Sequence, residues 1–371
     1  MKKRVNFITN NSNIANYLIT PVRHNRKALY ERGVKVRFFH KLNKKNLECD
    51  ILLLISQHVL REIGEKRAVL EESGPVVQFL SNARKYASKI VWMDITDSTG
   101  VTHFELLPHV DLYLKKHLFK NKSLYTQEFY GGRIFSDFYH RKYGIIDSKP
   151  FKQFYPLDTK FMNKVDLSWN MGMGDIYNAF SNKNGLSRRF PKLITTNYKV
   201  PFTDPKTDRQ YDIFMRMNTN LARETVTFHR KELVSRLDRM LEIDKSLHGS
   251  VEGKLPLRKY RQMMKESKIG FGPFGWGELN VREYEALIFG CLLLRPDISH
   301  MDTWPNIFIS GETCDTYRWD FSDLEEKIRT YLDDEKRRLE IAQNGQDAYR
   351  DSISQKGMNR FCDWFIQEIE K

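Results

Sequence analysis

"SKIGFGPFGWGELNVREYEALIFGCLLLRPD", residues 267–297, decides the fold. "KIGFG" (268–272) and "CLLLR" (291–295) are short continuous apolar runs, the pattern of strands buried on both faces. Between them, residues 281–289 carry helical spacing. Asn280 stands at the N-cap position, and Glu283, three residues on, completes an Asn-x-x-Glu variant of the capping box. Gly290 stops the helix before the second strand begins. A strand, a helix and a strand in so few residues predict a parallel crossover.

The loop inside this unit has a chemistry of its own. Gly270, Gly272, Gly275 and Gly277 let the backbone approach a ligand closely. The helix start that follows offers N–H donors and the positive end of a dipole, which suits phosphate. Arg282, at the second helical position, adds a planar fork of donors. Glu285 lies one turn on, on the same face, where a carboxylate would accept hydrogen bonds from ribose hydroxyls. The buried stripe is Val281, Tyr284, Leu287, Ile288 and Cys291, so Glu285 is expected on the exposed side and its replacement should leave packing intact. The competing interpretation is simple strand–turn–helix packing with a surface Arg282–Glu285 pair.

Working outward, the same alternation fills the second half. "YDIFMR" (211–216) is a strand, 224–241 a helix through Val226, Leu233, Leu237 and Leu241, and 257–267 another helix. Ser322 with Glu325 forms a capping box opening "DLEEKIRTYL", and an amphipathic helix over roughly 356–370 ends the chain. The first half alternates too. Strands 4–9, 34–39, 50–55, 89–95 and 110–116 are separated by helical stretches, one long helix running to Gly33. Residues 145–210 hold five prolines and little periodicity, and the linker falls in "VPFTDPKTDRQ" (200–210). The expected architecture is α/β: two Rossmann-like, doubly wound parallel-sheet domains, 1–205 and 206–371, facing across a cleft. The final helix of the second domain has the option of crossing back to the first.

Length and composition agree. A chain of 371 residues with 40% hydrophobic and 13% aromatic content is globular and fits two domains. The longest apolar stretch, Ala286–Leu294, is too short to span a bilayer. Lys2, Lys3 and Arg4 precede only a short apolar run, which argues against a signal peptide. Four scattered cysteines form no CxxC pair, no HExxH occurs, and no two aspartates stand two apart, so no metal site is expected. The formal net charge of +14 favours an anionic partner or surface, though the basic residues are spread along the chain without a nucleic-acid-binding block.

The 267–297 stretch resembles the donor-binding core of group 1 glycosyltransferases of the GT-B fold. Its "REYEALIFGCLLL" is similar to the RxYEALxxGC segment of exostosin-like enzymes. "HRKELVSRL" (229–237) and "LPLRKYRQMMKESKIG" (255–270) sit where that family has its basic first helix and the helix before the glycine loop. The resemblance spans about residues 211–345. It implies that Glu285 binds the nucleotide ribose and that the loop through Gly275 and Gly277 faces the diphosphate. Many retaining members carry two glutamates eight positions apart. Here that earlier position is Gly277, with Glu278 beside it, so the stereochemical outcome stays open.

In such enzymes the first domain supplies the acceptor site and, in inverting members, the base. Asp94 and Asp97 in "MDITDSTG" (93–100) stand at the carboxyl end of a strand, the address for a catalytic carboxylate in an open sheet. Each also serves as an ordinary cap or strand end. "NNSNIANY" (10–17) and "YGGRIFSDFYHRKYG" (130–144) offer polar and aromatic groups suited to a saccharide or an anionic acceptor. "WNMGMGD" (169–175) reads as a loop.

The expected function is a metal-independent glycosyltransferase of surface polysaccharide or glycan biosynthesis. Its donor is a nucleotide-sugar co-substrate, with no bound cofactor, and its acceptor a saccharide or a lipid-linked saccharide. The helix start capped by Asn280 and the cations Arg282, Arg216, Arg230 and Lys254 would neutralise the departing diphosphate. A cytoplasmic location is expected, with weak peripheral association at an anionic membrane face. A nucleotide-sugar epimerase of the same fold, turning over donor without acceptor, is the alternative. A basic nucleic-acid-binding protein ranks behind both, and no nucleic acid is expected as a partner.

Overall fold

The computed structural model describes residues 1–9, 13–65, 74–150, 154–177, 199–251 and 253–371. The first sheet contains β1 (Lys3–Ile8), β2 (Val34–Phe39), β3 (Cys49–Ile55), β4 (Ala87–Asp94) and β5 (Leu112–Lys115). After the short strand β6 (His117–Phe119), which lies outside this sheet, β7 (Val165–Leu167) completes it. The order is β2-β1-β3-β4-β5-β7, with every pair parallel. Leu52, Leu53, Leu54 and Ile55 are all fully buried, because helices cover both faces of the sheet.

The second sheet is built from β8 (Tyr211–Phe214), β9 (Gly249–Ser250), β10 (Ser267–Phe271) and β11 (Leu292–Pro296). Beyond β12 (Met301–Thr303), the edge strand β13 (Asp315–Tyr317) joins it. The order β13-β11-β10-β8-β9 repeats the doubly wound pattern of the first sheet. In both sheets the order reverses beside the first strand, and open sheets bind ligands at the carboxyl ends of the strands there. In the second sheet that point lies between β8 and β10, so Arg216 and the glycine loop stand at its mouth.

Several elements cross between the halves. The helix Ile134–Tyr143 packs on the second domain: Phe135 stacks on Phe274 at 4.4 Å, and the Tyr139 hydroxyl meets His229 Nδ1 at 2.6 Å. The last helix, Gln355–Glu370, returns to the first sheet, where Phe361 and Phe365 bury beside Val5, Phe7 and Trp169. β6 and β12 form an antiparallel ribbon across the domain boundary, pairing Met301 with Phe119 and Thr303 with His117. Asn170 ties the boundary further, donating to Thr303 Oγ1 at 2.6 Å and accepting from the Tyr284 hydroxyl at 3.1 Å.

Local differences from the sequence expectation have local causes. The long first helix is two, Asn13–His24 and Arg26–Glu31, broken at Asn25, whose side chain donates back to the Pro21 carbonyl at 2.8 Å. The Ser322 capping box does not form. Phe321 adopts a positive φ of 62°, and the helix starts later, at Leu324, with Asp323 in the cap position. A further helix, Glu335–Ser352, follows it, started by Asp334, whose side chain accepts from the Arg337 N–H. "WNMGMGD" holds one tight turn, Met171–Met173. Of "NNSNIANY", Asn10, Asn11 and Ser12 lie outside the described residues. Among the described residues no helix is long and apolar enough to cross a membrane.

Candidate functional site

Three arginines converge at the mouth of the second sheet. Arg216, just past β8, is anchored by its Nε on Ser250 Oγ at 2.8 Å. The Arg282 Nε reaches back to the Arg216 carbonyl at 3.4 Å. Arg230, from the helix Glu224–Ile243, donates to the carbonyls of Phe274 (2.9 Å) and Asn218 (2.8 Å). Its guanidinium lies against Gly275, where an added Cβ would stand 2.9 Å from Nη2. Burial first, and then the neighbouring Arg282, lowers Arg230 to about 10. Like charges gathered this way are what an anion would relieve. Lys254 is exposed on the rim, next to Gly253, which packs near Arg216 Nη1.

The capping box that the sequence predicts at Asn280 is present. Asn280 Oδ1 accepts from the Arg282 N–H at 3.0 Å, and Glu283 Oε2 accepts from the Asn280 N–H at 3.0 Å. The cap therefore occupies part of the helix start. Glu283 itself is fully buried and pushed up to about 7 by that burial, against the opposing charge of Arg295 at 3.7 Å.

Glu285 differs from its expected exposure. It is 6% exposed, because the helix Leu257–Lys265 lies over this face and Tyr260 donates its hydroxyl to Glu285 Oε2 at 3.1 Å. Burial raises the Glu285 carboxyl above its ordinary range, opposed by Arg282, the Tyr260 hydrogen bond and Arg261. Replacing it therefore disturbs a packed contact as well as a polar one.

Gly277 and Glu278 face the first domain. A Cβ on Gly277 would run into the Asp97 carbonyl, so only glycine permits this approach. Glu278 is fully buried and accepts from Thr99 Oγ1 (2.6 Å), Thr99 N–H (3.1 Å) and Ser98 Oγ (3.2 Å). Burial alone would raise its carboxyl. His300, Thr99 and His117 more than offset that and hold it at about 2. The fully buried Arg295 fixes the same loop by donating Nη2 to the Glu278 carbonyl at 2.7 Å. No sequence motif singles out His117, Thr99 or Arg295 as a site residue. His117 and Arg295 do carry one signal, since both lie at or just beyond a strand's carboxyl end.

The two aspartates separate. Asp94 is fully buried, with Lys115 Nζ at 3.1 Å, the Tyr113 hydroxyl at 2.6 Å and the Thr96 N–H at 2.8 Å. Burial would raise it, but Lys115, His103, Tyr113 and Thr96 together hold it at about 2. Enclosed in this way, it has no path to an acceptor hydroxyl, and its place is structural. Asp97 has a side chain 37% exposed, pairs with Lys116 Nζ at 3.0 Å and lies against the glycine loop at Gly277. In "YGGRIFSDFYHRKYG", His140 stacks on Tyr130 at 3.8 Å and Arg141 pairs with Asp137, while Arg133 reaches the glycine loop at the Trp276 carbonyl. Among the described residues, no group of three or more His, Cys, Asp or Glu is placed to hold a metal ion.

The architecture is GT-B: two Rossmann-like parallel sheets whose carboxyl-end loops meet across a cleft. Solved structures of similar outline include an α-glucosyltransferase with UDP and a 13-mer DNA, aligned over 100% of both chains at 11% identity and TM-score 0.47. Anabaena HepE with UDP aligns over 99% of this chain and 100% of its own, at 10% identity and TM-score 0.44. The C-terminal domain of LpcC, a group 1 glycosyl transferase of Francisella tularensis, aligns over 41% of this chain and 95% of its own, at 16% and 0.29. No curated protein matches the sequence. Residues 223–356, from the N-cap of the helix Glu224–Ile243 to the start of the last helix, match the family described as glycosyl transferase-like, and it is the second domain that carries this signature.

Proposed function

We propose that this chain is a glycosyltransferase that takes a sugar from a nucleoside diphosphate sugar and passes it to a saccharide or lipid-linked saccharide. The observation that carries this reading is the convergence of Arg216, Arg230 and Arg282 with Glu285 where the second sheet's strand order reverses. The arginines would hold the diphosphate, and Glu285 would accept from the ribose hydroxyls. In the transfer, an acceptor hydroxyl oxygen bonds to the anomeric carbon while the bond to the diphosphate oxygen breaks. The hydroxyl proton passes to Asp97 if configuration inverts. The developing charge on the leaving diphosphate falls on guanidiniums already in place.

A thermal-shift series with UDP, GDP, dTDP and CMP tests the donor site, since a ligand of the native state raises apparent stability. No shift with any nucleotide at millimolar concentration overturns the reading. Three fixed cations can do the neutralising work of a divalent ion, so transfer is expected to persist in excess EDTA. Activity lost to EDTA and restored by manganese would contradict that.

Glu285→Gln and Glu285→Ala are expected to weaken binding of the favoured nucleoside diphosphate by about ten- to a hundredfold, the usual worth of hydrogen bonds to a charged acceptor. The ionised carboxylate is the acceptor, and burial raises its pKa. Wild-type affinity should therefore fall as pH drops through a range above that of ordinary glutamates, and the Gln variant should lose that dependence. Calorimetric titration beside a melting curve measures both. Unchanged affinity in both variants, with intact melts, removes Glu285 from the site.

A further inference from the structure

Phe274 leads into the glycine loop at Gly275, and both polar groups of its backbone are held. Its carbonyl accepts from Arg230 Nε at 2.9 Å, and its N–H donates to His229 Nε2 at 3.2 Å. His229 and Arg230 are successive residues of the helix Glu224–Ile243, so one stretch of helix grips both peptide planes that flank Phe274. The ring is held too, stacked on Phe135 at 4.4 Å and tilted against the His229 imidazole at 5.0 Å. Farther along, the Trp276 carbonyl accepts from Arg133 Nε at 2.8 Å and the Glu278 carbonyl from Arg295 Nη2 at 2.7 Å.

The contact with Phe274 fixes the state of His229. A backbone N–H only donates, so Nε2 is the bare, accepting nitrogen and the ring proton sits on Nδ1. Nδ1–H donates to the Tyr139 hydroxyl at 2.6 Å, which donates in turn to the Trp319 carbonyl at 2.9 Å. The donors therefore run in one direction, and no other tautomer satisfies all three contacts. His229 and Tyr139 are fully buried. Burial first, and then the charge of Arg230, lowers His229 to about 3, which keeps the ring neutral and Nε2 able to accept.

We propose that His229 is a positioning residue for the glycine loop: held in its Nδ1–H tautomer by Tyr139, it sets the path of the chain at Gly275 so that a diphosphate meets the loop beside Arg230. The inference rests on the glycosyl-transfer reading and adds to that donor site a residue that touches no ligand itself. An added Cβ on Gly275 would stand 2.9 Å from Arg230 Nη2, so a small turn of the peptide before it moves the backbone into or away from that guanidinium. The aromatic segment 130–144 acquires a task as well, since Arg133, Phe135 and Tyr139 all bear on the loop, two of them directly and Tyr139 through His229. A binding site keeps its geometry only while the buried hydrogen bonds behind its contacting groups are in place.

The test uses the full chain and three variants, His229→Leu, His229→Gln and Tyr139→Phe, at a temperature where melting curves show each to be folded. NMR of histidine labelled with nitrogen-15, the His229 signals assigned by their loss in the Gln variant, should show a neutral ring protonated at Nδ1 in the wild type. Without nucleotide, hydrogen exchange at residues 273–279 should be about five- to a hundredfold faster in His229→Leu, the cost of leaving a buried N–H without an acceptor. The same variant should bind UDP, GDP, dTDP or CMP, whichever the wild type favours, at least about fivefold more weakly. His229→Gln, whose amide oxygen takes the place of Nε2, should recover most of that affinity, an outcome that mere filling of the core would not give. Tyr139→Phe should move exchange and affinity in the same direction as His229→Leu, by less, and let part of the His229 population protonate at Nε2. Protonation at Nε2 in the wild type overturns the proposal. So does unchanged loop exchange in His229→Leu, faster exchange with unaltered nucleotide affinity, or equal affinity in the Gln and Leu variants. Should His229→Leu not fold, wild-type exchange and affinity in Tyr139→Phe overturn it instead. Absence of nucleotide binding by the wild type, with tautomer and exchange as expected, is a separate failure, that of the glycosyl-transfer reading itself.

Discussion

Asp94→Asn is expected to lower the stability of the first domain by about 3–5 kcal/mol, the usual cost of removing one partner from a buried ion pair. Lys115 is fully buried, and after the change its ammonium meets only neutral acceptors, Thr96 Oγ1 at 2.6 Å, the Val101 carbonyl at 2.8 Å and the amide oxygen of the new side chain. The linkage has a definite sign. Asp94 is held at about 2 in the fold, whereas an unfolded aspartate titrates near about 3.9. Its stabilisation is therefore fully present above about pH 4 and is lost as pH falls toward 2. Urea unfolding of wild type and variant at pH 7, and of wild type between pH 5 and 2, measures both effects. The double change Asp94→Asn with Lys115→Met should recover part of the loss, because methionine removes the buried ammonium that the single change leaves without its opposing charge. A single-variant cost below about 1 kcal/mol, within the range of exposed pairs, would show that water reaches the pair.

What was legible in the sequence was what depends on near neighbours. The capping box of Asn280 and Glu283, the stop at Gly290 and the two apolar strands around them all arise within one short segment, and each forms where expected. Strand pairing was not legible. Asp94 and Asp97 look alike in "MDITDSTG", but β4 and β5 pair with Asp94 opposite Lys115, and that register buries one aspartate while leaving the other at the cleft. Glu285 passed for a surface residue because its cover, Tyr260, comes from a helix 25 positions earlier. Glu278 and Thr99 are 179 positions apart, and nothing local to either predicts that they meet. Ser322 failed as a cap for a different reason, since the turn at Phe321 moved the helix start past it.

Asp97→Asn should lower kcat for transfer by at least about a hundredfold, the low end of general acid–base effects, while nucleoside diphosphate affinity stays as in wild type and the melt falls only as far as the lost pairing of the buried Lys116 requires. Asp97 stands just beyond the carboxyl end of β4, with its side chain partly exposed, and its backbone touches the glycine loop at Gly277. A base there would be near an acceptor hydroxyl and on the opposite domain from the proposed diphosphate site, so the chemical step and donor binding should respond separately. Lys116 gives the means to distinguish a base from a mere strut. Its ammonium, 3.0 Å from Asp97 Oδ1, favours the ionised carboxylate, and Lys116→Met should therefore move the acid limb of the pH–rate profile upward. A structural ion pair would change the melt and leave that limb in place. Asp97→Glu should restore part of the rate, because it keeps the carboxylate with one more methylene of reach. If Asp97→Asn retains kcat within about tenfold of wild type, no general base acts from this loop, and the transfer must deprotonate its acceptor elsewhere or proceed with retention.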